Sequence, residues 1–328
     1  MTAVLTTFLL SALMCGAYMR LARVRQFLDT PNERSSHSRP TPHGGGAALV
    51  LAFTLGLLLA ARLYGAWEKS FLTLAVAALV LMVIGIIDDL RGLSVRLRLV
   101  MYSMVCLLVS VTLLQSVGTQ SVLWDGLLVI LGALAMLWSL NLYNFMDGID
   151  GIAAIQTVLA CVCAAVLSQV TGPDNSYALY CLMLAAAHSG FLIWNWPPAR
   201  LFMGDAGSVP TGFLLAALAL LGTVQGQLSP LCWLVLLATC ITDASWTLVW
   251  RMGTGQDFTQ PHRLHAYQRL SRHWGSHLNV DILLLVITAL WLFPLAWAVQ
   301  AWPEHGLILV ILAYLPLLCG MAKVGRLA

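Results

Sequence analysis

Eleven long apolar runs divide the sequence, and they constrain its fold more than any other feature. The runs fall at about 2–19, 45–62, 71–87, 99–117, 122–140, 152–170, 178–194, 209–226, 230–250, 279–300 and 305–322. A transmembrane helix needs about 20 apolar residues, and several of these runs are slightly shorter. The sequence therefore predicts an all-α, polytopic integral membrane protein with about 10–11 transmembrane helices.

The composition supports this class and argues against others. Hydrophobic residues make up 60% of the 328 residues, charged residues only 9%, and the mean hydropathy is +0.85. A soluble domain cannot bury that much apolar surface. The net charge of +3 is too small to indicate nucleic-acid binding. The eight cysteines lie almost entirely in apolar runs and form no C-x-x-C pair, so we expect small buried side chains.

The positive charges fall mostly on one side of the predicted helices. If the helices alternate in direction, fifteen of the 17 Lys and Arg residues share one side, and only Arg62 and Lys69 lie on the other. Because Lys and Arg favour cytoplasmic loops, this asymmetry predicts an outer N-terminus. It also predicts cytoplasmic loops at about 20–44, 88–98, 141–151, 195–208 and 251–278, within a single membrane domain spanning 1–328.

Five aspartates lie in three of these loops. They occur in the sequences DDLRG, NFMDGIDG and FMGDAGS, as Asp88, Asp89, Asp147, Asp150 and Asp205. A charged side chain at membrane depth costs about 2.5–3.5 kcal/mol, so such a cluster indicates a function. Adjacent carboxylates repel unless a cation intervenes. Ligands of this type suit Mg²⁺, which keeps several waters and binds substrate phosphates.

The NFMDGIDG segment has a spacing of its own. Asn144, Asp147 and Asp150 are three residues apart, so at a helix end they lie along one face. Gly148 and Gly151 carry no side chain and let a ligand approach the backbone closely. This pattern favours a polar ligand at the end of the fifth apolar run.

Four segments together resemble one enzyme family. GIIDDLRG, NLYNFMDGIDGIA, FMGDAGS and the early DTPNERSSHSRPTPHGGG are similar to motifs of the polyprenyl-phosphate N-acetylhexosamine-1-phosphate transferases, glycosyltransferase family 4. That family includes the enzymes that begin O-antigen and the related phospho-MurNAc-pentapeptide transferase of peptidoglycan synthesis. The resemblance runs from about Asp29 to Leu270, with the motifs in the family's order.

The resemblance implies an activity, a cofactor and a location. A polyprenyl phosphate, such as undecaprenyl phosphate, would attack the β-phosphate of a UDP-N-acetylhexosamine and release UMP. The product would start a lipid-linked glycan such as O-antigen. Mg²⁺, with Mn²⁺ as the alternative, would be the metal. The active site would lie at the cytoplasmic face of a bacterial inner membrane, and a homodimer remains open.

The resemblance also implies roles for individual residues. Asp205, Asp147 and Asp88 would bind the metal. Asp88, Asp89, Asn144, Asp147 and His265 would be catalytic. The substrate-binding residues would be Arg39, Gly148, Ile149, Asp150, Phe202, Asp243 and Arg263, with Phe202 stacking on the uracil that Gly148, Ile149 and Asp150 border. For Asp243, a structural pair with a neighbouring helix is an equal alternative to substrate contact.

One segment departs from the family pattern. Many relatives carry a cluster similar to H-x-H-H in the last large loop, whereas this chain reads PHRLHAYQRL. Arg263 replaces one histidine, His265 matches, and Ala266 replaces the last. This version resembles the subgroup that starts O-antigen with a 6-deoxy sugar such as FucNAc or QuiNAc. The donor is therefore expected to be UDP-GlcNAc or such an analogue.

Other classes fit the sequence less well. CDP-alcohol phosphotransferases carry D-G-x-x-A-R, and the segment DGIDGIA lacks the arginine. A transporter usually shows repeat symmetry or interrupted mid-membrane helices, and neither pattern is visible. An intramembrane aspartyl protease needs two isolated aspartates, whereas these are clustered with asparagine and glycine.

Overall fold

The computed structural model describes residues 2–31, 39–64, 69–115, 117–118, 121–170, 176–256 and 263–325. These residues form fourteen α-helices and one short hairpin. The helices are α1 Thr2–Val24, α2 Gly46–Tyr64, α3 Lys69–Arg91, α4 Val95–Leu114, α5 Val122–Met146, α6 Ile152–Ser168, α7 Ser176–Asn195, α8 Asp205–Val224, α9 Pro230–Leu236, α10 Ala238–Gly253, α11 Ala266–Trp274, α12 His277–Ile287, α13 Phe293–Ala301 and α14 Gly306–Val324. The strands β1 Leu28–Asp29 and β2 Thr41–Pro42 pair antiparallel.

The helices confirm the predicted all-α membrane class. In the described ranges, nine helices are long and apolar enough to cross a bilayer, and α9 with α10 makes a tenth if this pair, bent by 72°, is one span. A π-helical turn joins α12 and α13 into one of the nine. The remaining predicted run corresponds to α6, which has only 17 residues and is about 26 Å long.

Helix α8 lies at the centre of the helices and is the most buried of the candidate spans. Close glycine contacts hold its first turn against α2 and α3. A Cβ atom on Gly46 would lie 2.2 Å from the Cα of Gly207, and one on Gly85 would lie 2.5 Å from the carbonyl oxygen of Asp205. Small residues permit this backbone approach between membrane helices. The packing therefore fixes the start of α8 beside the end of α3.

The polar ends of α3, α5 and α8 meet on one side of the protein, which we call the acidic face. It is defined by Asp88, Asp89, Asp147, Asp150 and Asp205. The turn between α3 and α4 covers only residues 92–94, because Ser94 accepts a hydrogen bond from the backbone N–H of Leu97 (3.3 Å) and starts α4 there. This short turn brings the first residues of α4 back to the acids of α3.

Candidate active site

Arg98 lies between two of the clustered aspartates. Its Nη1 atom is 2.6 Å from Asp88 Oδ2 and 3.5 Å from Asp205 Oδ2. The other Asp88 oxygen accepts a hydrogen bond from the backbone N–H of Leu93 (2.7 Å). Burying a carboxylate as fully as Asp88, 9% exposed, is costly unless such partners replace water. Arg98 thus holds the end of α3 to the start of α8.

Arg98 was not among the predicted site residues, although the sequence contains a signal for it. Arg98 lies in the first turns of α4, where the helix dipole disfavours a cation. Two arginines in VRLR at a helix start therefore indicate that a strong anionic partner is nearby. The second partner, Asp205, is 107 residues away in the sequence, so the local pattern cannot indicate it.

Asp89 caps the first turn of α8. Its oxygens accept hydrogen bonds from the backbone N–H groups of Asp205 (3.3 Å) and Ala206 (3.4 Å), and an acid at this position interacts favourably with the helix dipole. Asp89 Oδ1 also lies 3.3 Å from His43 Nε2. Burial lowers the pKa of His43, but the hydrogen bond and charge of Asp89, with the charges of Asp29 and Asp147, raise it above its ordinary value overall. The first loop thereby places a histidine with a raised pKa among the acids.

Asp147 follows the last residue of α5. No described residue donates a hydrogen bond to its carboxylate, which is half-buried. Burial first, and then the charges of Asp205, Asp89 and Asp150, raise its pKa to about 8, although the charge of His43 opposes the shift. At neutral pH this carboxyl therefore holds a proton or needs a cation.

Asn144, one helical turn earlier, has a partner on α8. Its Oδ1 accepts a hydrogen bond from the Ser208 hydroxyl (2.7 Å). This bond joins the end of α5 to the first turn of α8, which also carries Asp205.

The predicted metal ligands are only partly assembled. Among the described residues, no three His, Cys, Asp or Glu side chains converge closely enough to form a metal site. Arg98 pairs with Asp88 (2.6 Å) and, at a longer distance, with Asp205 (3.5 Å), and Asp147 and Asp205 lie close enough for their charges to interact. Mg²⁺ is commonly held by one or two carboxylates together with substrate phosphates and waters. The donor types present fit Mg²⁺ on these terms.

The loop after Asp147 is fixed from several sides. Asp150 Oδ2 accepts a hydrogen bond from the backbone N–H of Ala199 (3.0 Å) and lies 3.2 Å from His277 Nδ1. The backbone N–H of Gly151, whose φ is +82°, donates to Asn195 Oδ1 (3.0 Å). Ile149 is buried. The contacts of Asn195 and His277 were not anticipated from the sequence, because both residues are distant from this loop along the chain.

Phe202 lies beside the first-loop hairpin. Its backbone N–H donates to the carbonyl oxygen of Pro42 (2.8 Å), and its carbonyl oxygen accepts from the N–H of Gly45 (2.9 Å). These bonds place the FMGDAGS segment next to β2. Arg39 is exposed near the same hairpin, and its carbonyl oxygen accepts a hydrogen bond from Thr41 Oγ1 (3.0 Å).

Asp243 anchors the start of α11. Its carboxylate accepts hydrogen bonds from the backbone N–H groups of Ala266 (2.8 Å) and Tyr267 (2.9 Å) and from the hydroxyl of Thr247 (3.3 Å). It also lies 3.2 Å from His265 Nδ1. These are the contacts that the structural alternative for Asp243 requires, and they use both oxygens of a buried side chain; its role as a substrate-binding residue stays a prediction.

The same helix packs onto the loop after α5. The Tyr267 hydroxyl donates to the carbonyl oxygen of Phe145 (2.8 Å), and a Cβ atom on Gly148 would collide with that hydroxyl. The His265 ring stacks between the rings of Phe145 (6.1 Å) and Tyr267 (5.7 Å). His265 is therefore held against the loop that carries Asp147 and Gly148.

Three arginines surround the outer side of α11. Burial first, and then the charges of Arg263 and Arg269, lower the pKa of Arg272. The Arg272 side chain donates to the carbonyl oxygen of Arg263 (3.0 Å). Like charges this close raise the local positive potential, which favours an anionic ligand.

Comparison with known proteins places the chain among membrane transferases. A model of the family described as glycosyl transferase family 4 matches residues 71–223, which include all five aspartates of the acidic face. The decaprenyl-phosphate N-acetylglucosaminephosphotransferase of Mycobacterium tuberculosis (strain H37Rv) is 30% identical over 314 residues, covering 85% of this chain and 78% of that protein. The undecaprenyl-phosphate alpha-N-acetylglucosaminyl 1-phosphate transferase of Escherichia coli K12 is 28% identical over 307 residues, covering 88% and 81%.

A second group of relatives matches a smaller part of this chain. The phospho-N-acetylmuramoyl-pentapeptide-transferase of Prochlorococcus marinus is 32% identical over 200 residues, covering 55% of this chain and 54% of that protein. The likeness to both groups agrees with the motifs found in the sequence.

Proposed function

The chain belongs to glycosyl transferase family 4, as a homologue of the polyprenyl-phosphate N-acetylglucosamine-1-phosphate transferases, and from this premise we propose how its acidic face works. It is a phosphoglycosyltransferase that transfers an N-acetylhexosamine-1-phosphate to a polyprenyl phosphate. We propose that the donor is UDP-GlcNAc or a 6-deoxy analogue such as UDP-FucNAc or UDP-QuiNAc. The acceptor would be undecaprenyl phosphate, and the product would start a glycan such as O-antigen.

One observation supports this proposal best: the Arg98 guanidinium lies between the carboxylates of Asp88 and Asp205, where the ends of α3, α5 and α8 meet. In the reaction, an oxygen of the lipid phosphate forms a bond to the β-phosphorus of the donor, and the bond to the bridging oxygen of UMP breaks. One phosphoanhydride replaces another, and a phosphate monoester is largely ionised at neutral pH. The protein therefore has to bring two anions together rather than generate a nucleophile.

The described side chains divide this task by charge. Arg98 can donate to a phosphate oxygen while it keeps Asp88 in place, because a guanidinium has five donors. His43 lies beside Asp89, whose hydrogen bond and charge raise the pKa of the imidazole. The arginines around α11, including Arg263, and the anchored His265 would bind the donor's diphosphate from the other side. Gly148, Ile149 and Asp150, with Phe202, would receive the uracil.

The family uses Mg²⁺, and Asp205 and Asp147 are the residues that would hold it here, with Mn²⁺ as an alternative. When bound, the ion would neutralise the negative charge of the diphosphate. Asp88 would join the ligands only if Arg98 moved to a phosphate. Asp89 would keep the first turn of α8 in place and so position Asp205.

The location proposed for the enzyme follows from the charge asymmetry. The protein is a multi-pass membrane protein with bacterial homologues. We propose that the acidic face is cytoplasmic and the N-terminus lies outside, since fifteen of the 17 Lys and Arg residues would then be cytoplasmic. UDP-sugars are cytosolic, so this orientation brings the donor to the site. A single domain over 1–328 and a homodimer remain proposals.

Purified protein tests the proposed function directly. UMP release is measured with undecaprenyl phosphate, Mg²⁺ and a panel of UDP-GlcNAc, UDP-GalNAc, UDP-FucNAc and UDP-QuiNAc. We expect turnover with at least one donor, and none in EDTA or without lipid. Turnover that persists in EDTA, or without the lipid acceptor, would show that this function is wrong.

A further inference from the structure

Side chains from two other helices hold the bend between α9 and α10. These two helices meet at 72°, with only Leu237 between them. Where a helix ends, the carbonyl oxygens of its last turn lose their partners within the helix, and lipid offers no replacement. The Tyr314 hydroxyl of α14 donates to the carbonyl oxygen of Leu234 (2.9 Å), and Gln156 Nε2 of α6 donates to that of Leu236 (3.1 Å). These bonds fix the bend from two sides.

Gln156 uses both ends of its amide at this bend. Its Oε1 accepts a hydrogen bond from the hydroxyl of Thr239 (2.7 Å), which lies in the first turn of α10. The side chain is only 3% exposed, and a buried amide requires such partners. One side chain of α6 thus bonds the last turn of α9 and the first turn of α10. A change in the bend angle would break one of these two bonds.

Both of the helices that Gln156 connects lead to the active site. Along α6, Gln156 lies about 7.5 Å from Gly151, where the loop after α5 that carries Asp147 ends. Along α10, Asp243 lies about 6 Å beyond Thr239 and accepts the backbone N–H groups that begin α11. Gln156 therefore joins the helix that follows the loop to the helix that anchors α11.

This position gives the two bonds a larger effect on geometry than on stability. A single hydrogen bond between membrane helices contributes little to stability, so the loss of two should leave the chain folded. Alignment at the site is more sensitive, because a displacement of about 1 Å that originates far from the chemistry can lower turnover about a hundredfold.

We infer that Gln156 is a positioning residue of the transferase, which fixes the bend between α9 and α10 and so holds α11 in register with the loop after α5. The inference rests on the proposed function, in which that loop borders the uracil and α11 binds the diphosphate. If the bend relaxed, each side would keep its own contacts, but the reacting groups would lose their alignment. Turnover would then fall more than binding.

The kinetics of Gln156→Leu and Gln156→Glu at pH 6 test this role, with UMP release measured on the best donor of the panel. Leucine removes both bonds, so we expect kcat to fall about tenfold or more, while KM for undecaprenyl phosphate and the inhibition constant for UMP stay within about threefold. A protonated carboxyl offers the same donor and acceptor as the amide, so Gln156→Glu should keep kcat within about threefold of the wild type. Equal kcat values for the two variants would overturn the inference. Changes in the UMP and lipid constants as large as the change in kcat would also overturn it.

Tyr177→Phe is the matched control, because it also removes a buried hydrogen bond to α9. The Tyr177 hydroxyl accepts from Trp233 Nε1 (2.8 Å), and it lies near the start of α7, about 27 Å along that helix from Asn195 beside the loop after α5. We expect kcat within about twofold of the wild type, since this bond does not connect the two sides of the site. A loss of kcat as large as in Gln156→Leu would show that any lost bond to α9 has this effect, and would overturn the positioning role.

Hydrogen exchange gives a readout that does not depend on turnover. The backbone N–H groups of residues 264–274, which begin and form α11, should exchange faster in Gln156→Leu than in the wild type, and at the wild-type rate in Tyr177→Phe. If the wild type releases no UMP, the proposed function fails, and the inference is then judged by exchange alone. Unchanged exchange of this segment in Gln156→Leu would overturn it.

Discussion

Two segments flank the acid cluster, and they use their polar groups in opposite ways. In the α11 arm, residues 263–277, hydrogen bonds within the protein engage the key side chains: Asp243 holds the helix start, and Tyr267 holds the loop after α5. In the hairpin arm, residues 26–31 and 39–45, several polar groups face a cavity instead, and His43 Nδ1 has no partner among the described residues.

This difference separates positioning from recognition. A side chain whose oxygens are all engaged by its own protein, such as Asp243, acts by fixing the geometry of its neighbours. A side chain on a cavity wall, such as Asp29, can change what is bound without changing the fold. Substitution of Asp243, which fixes the α11 arm, should therefore alter kcat and stability together, whereas substitution of a ligand-facing residue in either arm should mainly alter KM.

The acids shared by both arms should show the largest effect. Asp205→Asn and Asp88→Asn are each expected to lower kcat by about a hundredfold or more, because electrostatic stabilisation of the reacting phosphates is lost. UMP release measures the loss, and detergent-solubilised yield shows that folding is intact. Near-normal rates in both variants would show that these aspartates act only structurally, by pairing with Arg98 or interacting with helix termini.

Asp243→Ala should give the next largest effect and mark the α11 arm as structural. It removes the acceptor of two backbone N–H groups, so we expect kcat to fall by about ten- to a hundredfold and the apparent Tm to fall by several degrees. His265→Ala, with α11 still anchored, should lose only about tenfold, raise KM for the UDP-sugar and leave the Tm nearly unchanged. Equal Tm values for Asp243→Ala and the wild type would contradict the anchoring role.

Asp147, which lies between the two arms, predicts a pH dependence for the metal-free protein. Burial raises its pKa from the ordinary 3.8 to about 8, so the folded state keeps a proton that the unfolded state releases. The stability from this group is complete below about pH 4 and is lost as pH rises through about 8. Since a cation replaces the proton, Mg²⁺ should raise the Tm more at pH 8.5 than at pH 6.

Asp147→Asn provides the control for this effect, because it keeps the side-chain size and removes the titration. Mg²⁺ should raise the Tm of this variant less than that of the wild type at pH 8.5, and the increase should be similar at both pH values. A wild-type Mg²⁺ response that is larger at pH 6 would have the wrong sign and would reject the assignment to Asp147.

The smallest change in kinetics is expected for Arg263→His, and it gives the most specific test of how the two arms differ. If the α11 arm reads the sugar, as its resemblance to the 6-deoxy subgroup implies, Arg263→His should shift the ratio of rates for 6-deoxy and 6-hydroxy donors toward UDP-GlcNAc. It should also raise KM for the UDP-sugars by about two- to fivefold, as one diphosphate contact weakens. An unchanged ratio would show that this arm does not set the sugar specificity.

Much of the fold and part of the site could be predicted from residue order alone. Each of the eleven apolar runs corresponds to a helix or helix pair, because hydrophobicity is a local property that sums along a run. The five aspartates come together because they end or begin helices that pack closely. Arg98 was missed, since its partners Asp88 and Asp205 are respectively ten and 107 residues away. His43 belongs to the first-loop motif PTPHGGG, but nothing in that motif indicates its contact with Asp89.

By itself, the sequence determined that this is a helical membrane protein with its acids gathered among loop motifs of a transferase family. Those properties depend on composition, spacing and motif order, which do not require distances between remote residues. The tertiary structure decided which acids Arg98 binds, which acid accepts no hydrogen bond from the described residues, and which acid holds α11 in place. It alone separated Asp243 from Asp147, because the charge state and partners of a buried carboxylate depend on the atoms that surround it in space.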